Sequence, residues 1–407
     1  QNDENGDRQQ NGQDDGQHAQ DSGHAGHAET EIRTTRTIMS ERMNKYCAAF
    51  LLLLSGGGNA AQAQTAYSVS GRIEDPSMEG RKIYLSIYDH DGRDIDSATV
   101  HNQSFRMEGV ADAPYFVRLE PSDRKSYANF VLEDSVVIDY QAHKPSSGGK
   151  LTQKYLSFLQ EMDSLNSSTD LWRKNYEAQH PDATEAQHTQ DFYKRFYNFY
   201  EKWTKQESTN GVGECVWRDA YIHFYHTGQM ELLRMLRASL SPYLASLKFT
   251  RTAVDEKLAK WESTSPGKPF IDIEGITMDG NPTRLSQYIG KGRFVLVDFW
   301  ASWCGPCRKE SKEFLKPLWE KYKDGNTLTI VGIAVRDELE KTKKALVEEN
   351  YSWPQILDAG TSPLEQYAIT GIPHIMLLAP DGTILARNLR GMQIEKTIQE
   401  HINKNTQ

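Results

Sequence analysis

Cys304 and Cys307 stand two residues apart in the run Val295-Leu296-Val297-Asp298-Phe299-Trp300-Ala301-Ser302-Trp303-Cys304-Gly305-Pro306-Cys307-Arg308-Lys309-Glu310, where an apolar, strand-like stretch gives way to a helix-like one. A helix start offers unpaired backbone N–H groups and the positive end of the peptide dipole, so a sulfur placed there is favoured as thiolate over thiol. The thiolate is the nucleophile. Spacing of i, i+3 puts both sulfurs on one helix face within bonding reach. Cys304, first of the pair and nearest the helix start, is expected to be the exposed thiol that attacks a substrate disulfide. Cys307, one turn inward, is expected to resolve the mixed disulfide that results. The competing chemistry is half of a zinc site, which needs two further close ligands, and the sequence offers no second C-x-x-C. No metal and no bound cofactor are therefore expected. The Cys304–Cys307 pair itself would cycle between dithiol and disulfide.

Two neighbours bear on that chemistry. Asp298 interrupts an apolar strand, where an ionised carboxylate is costly unless paired or protonated. Desolvation should raise its pKa, which suits a base that deprotonates Cys307 near neutral pH; the alternative is a solvated position at a strand end. Pro306 falls at a helix N-terminal position, where a missing N–H costs little, and stiffens the dithiol turn. Cys215 stands alone and reads as a buried, inert thiol rather than a third redox centre.

The elements that must position these residues lie in the last part of the chain. Strand-like runs at 294–300, 328–335, 355–357, 375–378 and 383–386 alternate with helical patterns at 304–323, 338–349, 363–367 and 393–402. Such alternation predicts an α/β sheet, mixed because the Asp381-Gly382 turn makes its edge antiparallel. Upstream, short strands at 67–73, 82–87, 95–100, 104–107, 115–119, 130–132 and 136–138, punctuated by Asp91-Gly92 and Glu108-Gly109, predict a small antiparallel β-sandwich over 64–145. Helical periodicity then runs through 146–262. The aromatic run from Phe192 to Tyr200 reads there as helix packing rather than as a ligand platform. By composition the stretches 144–149 and 263–269 read as joints, the second opening a domain over 263–407.

At 407 residues the chain has room for two or three domains, and at a net charge of -9 without a basic stripe it makes nucleic acid an unfavourable partner. A protein or peptide partner fits better. Residues 1–42 are low-complexity and read as disordered. Residues 43–63 read as a secretory signal peptide, with Met39 or Met43 as start, Arg42 and Lys45 as the basic end, a short apolar core and Ala61-Gln62-Ala63 as the cleavage site. The mature chain would begin at Gln64. The apolar core is far shorter than the ~20 residues a bilayer span needs, so no permanent membrane span is expected. An exported chain meets an oxidising compartment, yet only Cys215, Cys304 and Cys307 remain after the leader. That is no disulfide scaffold.

With Trp303-Cys304-Gly305-Pro306-Cys307 after a strand and Gly371-Ile372-Pro373 before a later one, residues 263–407 resemble the thioredoxin superfamily. Phe299-Trp300-Ala301-Ser302-Trp303-Cys304, the segment from Pro269 to Ser286 and Gly371-Ile372-Pro373-His374-Ile375 are similar to the exported TlpA/ResA-type proteins. The β-rich and helical regions resemble the extension often fused to such domains. The resemblance implies a periplasmic thiol-disulfide oxidoreductase that reduces or isomerises disulfides in exported proteins, with a membrane-bound thiol reductase as electron donor. It implies a cis Pro373 beside Cys304, with the Ile372 backbone free to pair with an extended substrate chain. Trp303 would lie near the substrate with Gly305 and Pro306, whereas Trp300 would pack. Glu310 would tune the thiols or else sit on the helix surface beside a lysine. His374 would contact substrate or merely start a strand. Gly305-Pro306 and Asp298 match thioredoxin itself more than many TlpA-type proteins, which implies a reducing character.

Two other classes stay in view. A peroxiredoxin-like peroxidase expects Pro-x-x-x-Thr-x-x-Cys, and Ala301 occupies the Thr position. A binding module in the front half, with the last domain as its redox accessory, is the third.

Overall fold

The computed structural model describes residues 64–405 except 89–92 and 124–125. The low-complexity segment, the stretch read as a leader and the Asp91-Gly92 turn lie outside the described residues.

Two four-stranded sheets form the β-rich region, in the orders β4-β1-β7-β8 and β3-β2-β5-β6. The strands are β1 (Thr65–Arg72), β2 (Lys82–Ile87), β3 (Asp94–Thr99), β4 (Ser104–Ala111), β5 (Phe116–Pro121), β6 (Ala128–Val131), β7 (Val136–Asp139) and β8 (Lys144–Ser147). In β1 Tyr67 and Val69 turn inward while Ser68 and Ser70 turn out, the period of two that a half-buried strand requires. The arrangement is not wholly antiparallel, because β1 pairs with β7 in parallel. A parallel pair needs a crossover, and the second sheet supplies it. Residues 144–147, read by composition as a joint, are a strand paired with β7, and Pro145 is tolerated there because β8 lies at the sheet edge.

Helices follow at α1 (Lys150–Ser167), α2 (Thr169–Gln179), α3 (Glu185–Gln206), α4 (Gly211–His226), α5 (Met230–Ala238), α6 (Pro242–Ser246) and α7 (Asp255–Ser263). The N-terminus of α1 has no cap on its own chain segment; the Glu133 carboxylate instead accepts the N–H groups of Leu151 and Thr152. Phe196 and Tyr200 of the aromatic run are buried, with the Tyr200 hydroxyl donating to Asp219 at 2.8 Å, so the run is packing. Cys215 is buried and burial pushes its thiol well above the usual range. Val69, Phe130, Phe158 and Leu233 belong to one hydrophobic cluster, so the strands and helices of residues 67–258 share a core.

The last part of the chain opens with a short hairpin, β9 (Glu274–Ile276) and β10 (Pro282–Arg284), which the sequence reading passed over although Asp279-Gly280 marks its turn. A five-stranded sheet follows in the order β13-β12-β11-β14-β15, from β11 (Phe294–Trp300), β12 (Leu328–Ala334), β13 (Gln355–Ile356), β14 (His374–Leu378) and β15 (Ile384–Leu389). β11 runs parallel to β12 and antiparallel to β14, the mixed sheet expected. It is buried at all seven positions, as a central strand covered on both faces must be. Helix α8 (Gly305–Glu310) leads through a π-helical turn, 311–315, into α9 (Lys316–Tyr322). Pro317, without an N–H for the preceding turn, accounts for the break in what was expected to be one regular helix over 304–323. α10 (Leu339–Glu348), α11 (Ser362–Gln366) and α12 (Met392–Asn405) complete the layers. Residues 263–269 are no free joint. Thr264 is fully buried, Gly267 N–H donates to Ile384 C=O and Phe270 N–H to Gly382 C=O.

Because one core serves the β-rich and helical regions, they should unfold together. Phe158→Ala, which removes a buried ring packed on Phe199 and Trp203, should cost about 3–5 kcal/mol. In guanidinium titrations, tryptophan fluorescence and far-ultraviolet dichroism should report one shared shift for residues 64–262. Separate transitions for the sheets and the helices would refute it.

Candidate active site

Alternation along β11 sends Val295, Val297 and Phe299 into one core cluster and Phe294 and Leu296 into another on the opposite face. Asp298 shares the face of Leu296 and Trp300, the side on which α8 and α9 pack. It is 2% exposed. Burial pushes its carboxyl up to about 7; Arg390 opposes the rise and Glu310 adds to it. Ser311, one turn beyond Cys307 on the helix, is a further neighbour that opposes it. Asp298 therefore sits mid-strand beneath the dithiol helix and is not a solvated strand end.

The two cysteines form a disulfide across a Cα–Cα distance of 5.3 Å. Cys304 is the N-cap of α8, its Sγ accepting the Cys307 N–H at 3.2 Å, and Pro306 occupies the first turn. This is the helix-start placement on which thiolate character depends. One expectation is corrected: Cys304 is 3% exposed, not the open thiol of the pair. Its side chain is turned onto the helix end and packs with Cys307 among Trp300, Ala301, Ala334 and Leu357, with Ile372 against the cluster. The exposed neighbour is Trp303, at 61%, whose Nε1–H donates to Arg336 C=O at 2.9 Å. Gly305 and Pro306 are exposed beside it.

Trp300 is buried, its Nε1–H donating to Gln355 Oε1 at 3.1 Å. Gly332 makes that contact possible: a Cβ there would lie 2.2 Å from the Gln355 Oε1. Ser302 is tethered through its N–H and hydroxyl to Asp337. Together these bonds fix the loop between β11 and α8.

Pro373 follows a cis peptide bond from Ile372. Among the described residues no hydrogen bond involves the Ile372 main chain. Glu310 accepts the Gly391 N–H rather than lying beside a lysine on the helix surface. His374 is the first residue of β14, 6% exposed, with its ring edge-on to Phe299 and Nε2 without a partner. Burial, aided by Arg387 and Arg390, pushes its ring well below the usual histidine range.

Sequence reasoning missed Arg390. Its guanidinium donates to the carbonyls of Pro373 and Leu389 and faces Asp298 and Glu310, so one cation links the cis-proline loop to the buried carboxyl. An arginine one residue beyond β15 gives no local signal. Among the described residues no group of three or more His, Cys, Asp or Glu is placed to hold a metal ion.

Residues 265–402 match the Redoxin family model, and residues 67–155 match a domain of unknown function, DUF4369. The thiol-disulfide oxidoreductase ResA of Bacillus cereus is 28% identical over 149 residues, covering 36% of this chain and 83% of its own. ResA of Bacillus subtilis is 25% identical over 142 residues, covering 35% and 76%. Among solved structures, the thioredoxin domain of a thiol-disulfide oxidoreductase from Bacteroides vulgatus is 36% identical, with 34% of this chain and 97% of that one covered at a TM-score of 0.31.

A carboxyl with its folded pKa raised to about 7 is neutral in both folded and unfolded states at low pH. Between about pH 4 and pH 7 only the unfolded state ionises, so this group lowers stability as pH rises through that window and by a constant amount above it. Asp298→Asn should therefore stabilise the oxidised protein at pH 8 by about 2–4 kcal/mol relative to its effect at pH 4. Urea unfolding at the two pH values measures this, and an equal effect at both would contradict the buried, protonated carboxyl.

Proposed function

We propose that this chain, a TlpA/ResA-type thiol-disulfide oxidoreductase of the thioredoxin superfamily, reduces or isomerises disulfides of exported proteins in the periplasm through its Cys304–Cys307 dithiol. The observation that carries the proposal is the disulfide at the N-cap of α8 with the buried Asp298 beneath it. Among the described residues no helix is long and apolar enough to cross a membrane.

In the reduced protein the Cys304 thiolate, favoured by the helix start, attacks one sulfur of a substrate disulfide. That bond breaks, its electron pair leaves on the second substrate sulfur, and a mixed disulfide joins Cys304 to the first. Asp298, about half ionised near pH 7, accepts the Cys307 proton. The Cys307 sulfur then attacks Cys304 Sγ, the mixed disulfide breaks, and the first substrate sulfur leaves as a thiolate. Two electrons have passed to the substrate and the protein is left with the Cys304–Cys307 bond. A dithiol donor, a membrane-bound reductase on this proposal, returns it to the reduced form. Trp303, Gly305, Pro306 and the Ile372-Pro373 loop would frame the substrate, the Ile372 backbone pairing with its extended chain.

Cys307→Ser should trap exported proteins as mixed disulfides through Cys304, whereas Cys304→Ser should trap none. Non-reducing gels with mass spectrometry of the linked peptides read the outcome, and trapping through Cys307 alone would reverse the assigned order. Terminal sequencing of the periplasmic protein should begin at Gln64. A protein retained with its leader would remove the location.

A further inference from the structure

A cleft of about 520 Å³ opens between the helical region and the cis-proline loop. Tyr193 and Gln229 lie on its helical wall; Ile372, His374, Arg387 and Arg390 lie on the other. Ile372 belongs to two places at once, because it also packs against the cluster that holds Cys304 and Cys307. The cleft thus adjoins the dithiol without containing it.

Its chemistry is cationic. Arg387 donates to Thr264 C=O, Thr264 Oγ1 and Tyr367 C=O, and Arg390 to the carbonyls of Leu389 and Pro373. All of these partners are neutral, and each guanidinium keeps further donors of its five. Among the described residues neither arginine has a carboxylate at ion-pair distance. Glu231, the acid on the helical side, is paired with Arg234 at 2.5 Å, and Asp298 and Glu310 act on Arg390 from the side of the dithiol helix. Burial weakens the hold of both arginines on their protons, Arg387 falling to about 10, while Glu310 and Asp298 oppose the effect on Arg390. His374 is among the residues lining the same cleft; its buried Nε2 has no partner and, on a neutral ring, can carry an N–H. An unsatisfied buried polar atom is costly, and a ligand that completes it recovers that cost.

We propose that this cleft receives the stretch of substrate polypeptide next to the reacting half-cystine and holds an acidic side chain of it against Arg387 and Arg390, with His374 as an additional donor. The inference rests on the disulfide-exchange function proposed above and adds its substrate class. It follows from continuity: an extended chain paired with the unbonded Ile372 backbone runs directly into the cleft. The helical region then forms one wall of the substrate groove.

The test uses the full chain in its reduced form and cystine-bridged peptides that differ only in Asp, Asn or Lys beside the half-cystine, placed before it in one set and after it in another. In one set kcat/KM should follow Asp over Asn over Lys, by about tenfold between Asp and Asn, as a charge-assisted hydrogen bond in a half-buried site allows. The preference should shrink as salt rises. Arg387→Gln should abolish it. Because Arg387 also ties Thr264 and Tyr367, Thr189→Glu, at an exposed position on the helical rim of the cleft, provides a second variant and should cut the Asp-to-Asn ratio severalfold by like-charge repulsion. Equal rates for the three peptides in both sets, or a preference that survives both variants, would overturn the proposal. Hydroxyethyl disulfide, small and neutral, separates the two levels. Its reduction without any peptide preference sinks the cleft alone, and failure to reduce it at all sinks the exchange function beneath it.

Discussion

A carboxyl group held in the middle of a buried strand, with a helix laid over it, is the constraint on which the site depends. Asp298, mid-strand in β11 between β12 and β14 and 2% exposed, is covered by what packs on its face of the sheet. Its charge is therefore regulated by what lies within a few ångströms: burial raises the pKa, Arg390 lowers it, and Glu310 raises it again. The balance leaves a group that changes protonation near neutrality, at a depth where an isolated ionised carboxylate would be prohibitive. The same strand delivers its C-terminal end to Ser302 and Cys304, so the register that buries Asp298 also fixes the start of α8. Position of the buried carboxyl and position of the first cysteine are one decision of the fold.

Arg390 extends that decision to the cis-proline loop. By donating to the Pro373 carbonyl while facing Asp298 and Glu310, it makes the cis-proline segment and the carboxyl parts of one electrostatic unit. Arg387, three residues earlier on β15, does the corresponding work towards the front of the chain, holding Thr264 just after α7 and the Tyr367 carbonyl before the loop. Arg387 thereby ties the segment just after α7 to the edge strand β15, while the partners of Arg390 all lie within the last part of the chain. The connection is polar and backbone-directed, unlike the apolar cluster that unites the β-rich and helical regions.

The local parts of this arrangement were legible in the sequence. An unbroken apolar run specified β11, its single acid stood out against that run, and the Cys304–Cys307 spacing named the chemistry. Gly371-Ile372-Pro373 was legible only through resemblance. What escaped were features set by distant contacts. Cys304 is buried because Trp300 and residues such as Ile372 and Leu357, far along the chain, close over it. Residues 144–147 read as a joint because Lys-Pro-Ser-Ser carries no strand pattern; β7 imposes one by pairing. The segment after α7 looked flexible by composition, yet the residue that immobilises it lies 123 positions away. Nothing in the local pattern of β1 announced a parallel partner, since that depends on how an entire second sheet is routed between the two strands. Periodicity reports which face of an element is apolar; it does not report what will cover that face.

The burial of Cys304 has a consequence for the order of events on the proposed function. Both half-reactions make and break a bond at the same sulfur: the substrate exchange that oxidises the pair and the donor exchange that reduces it. That sulfur lies at the end of α8 with apolar side chains packed around it, and the exposed surface beside it is the small area formed by Trp303, Gly305, Pro306 and the cis-proline loop. A polypeptide substrate lying along Ile372 fills that area, so a donor cannot reach Cys304 until the substrate has gone. Substrate and donor must therefore alternate on one face, each leaving before the other arrives, with the electrons stored meanwhile in the oxidation state of the pair. An acidic preference built into the adjoining cleft would act on whichever partner extends into it, and a donor that approaches only from the Trp303 side would escape the selection that the substrate undergoes.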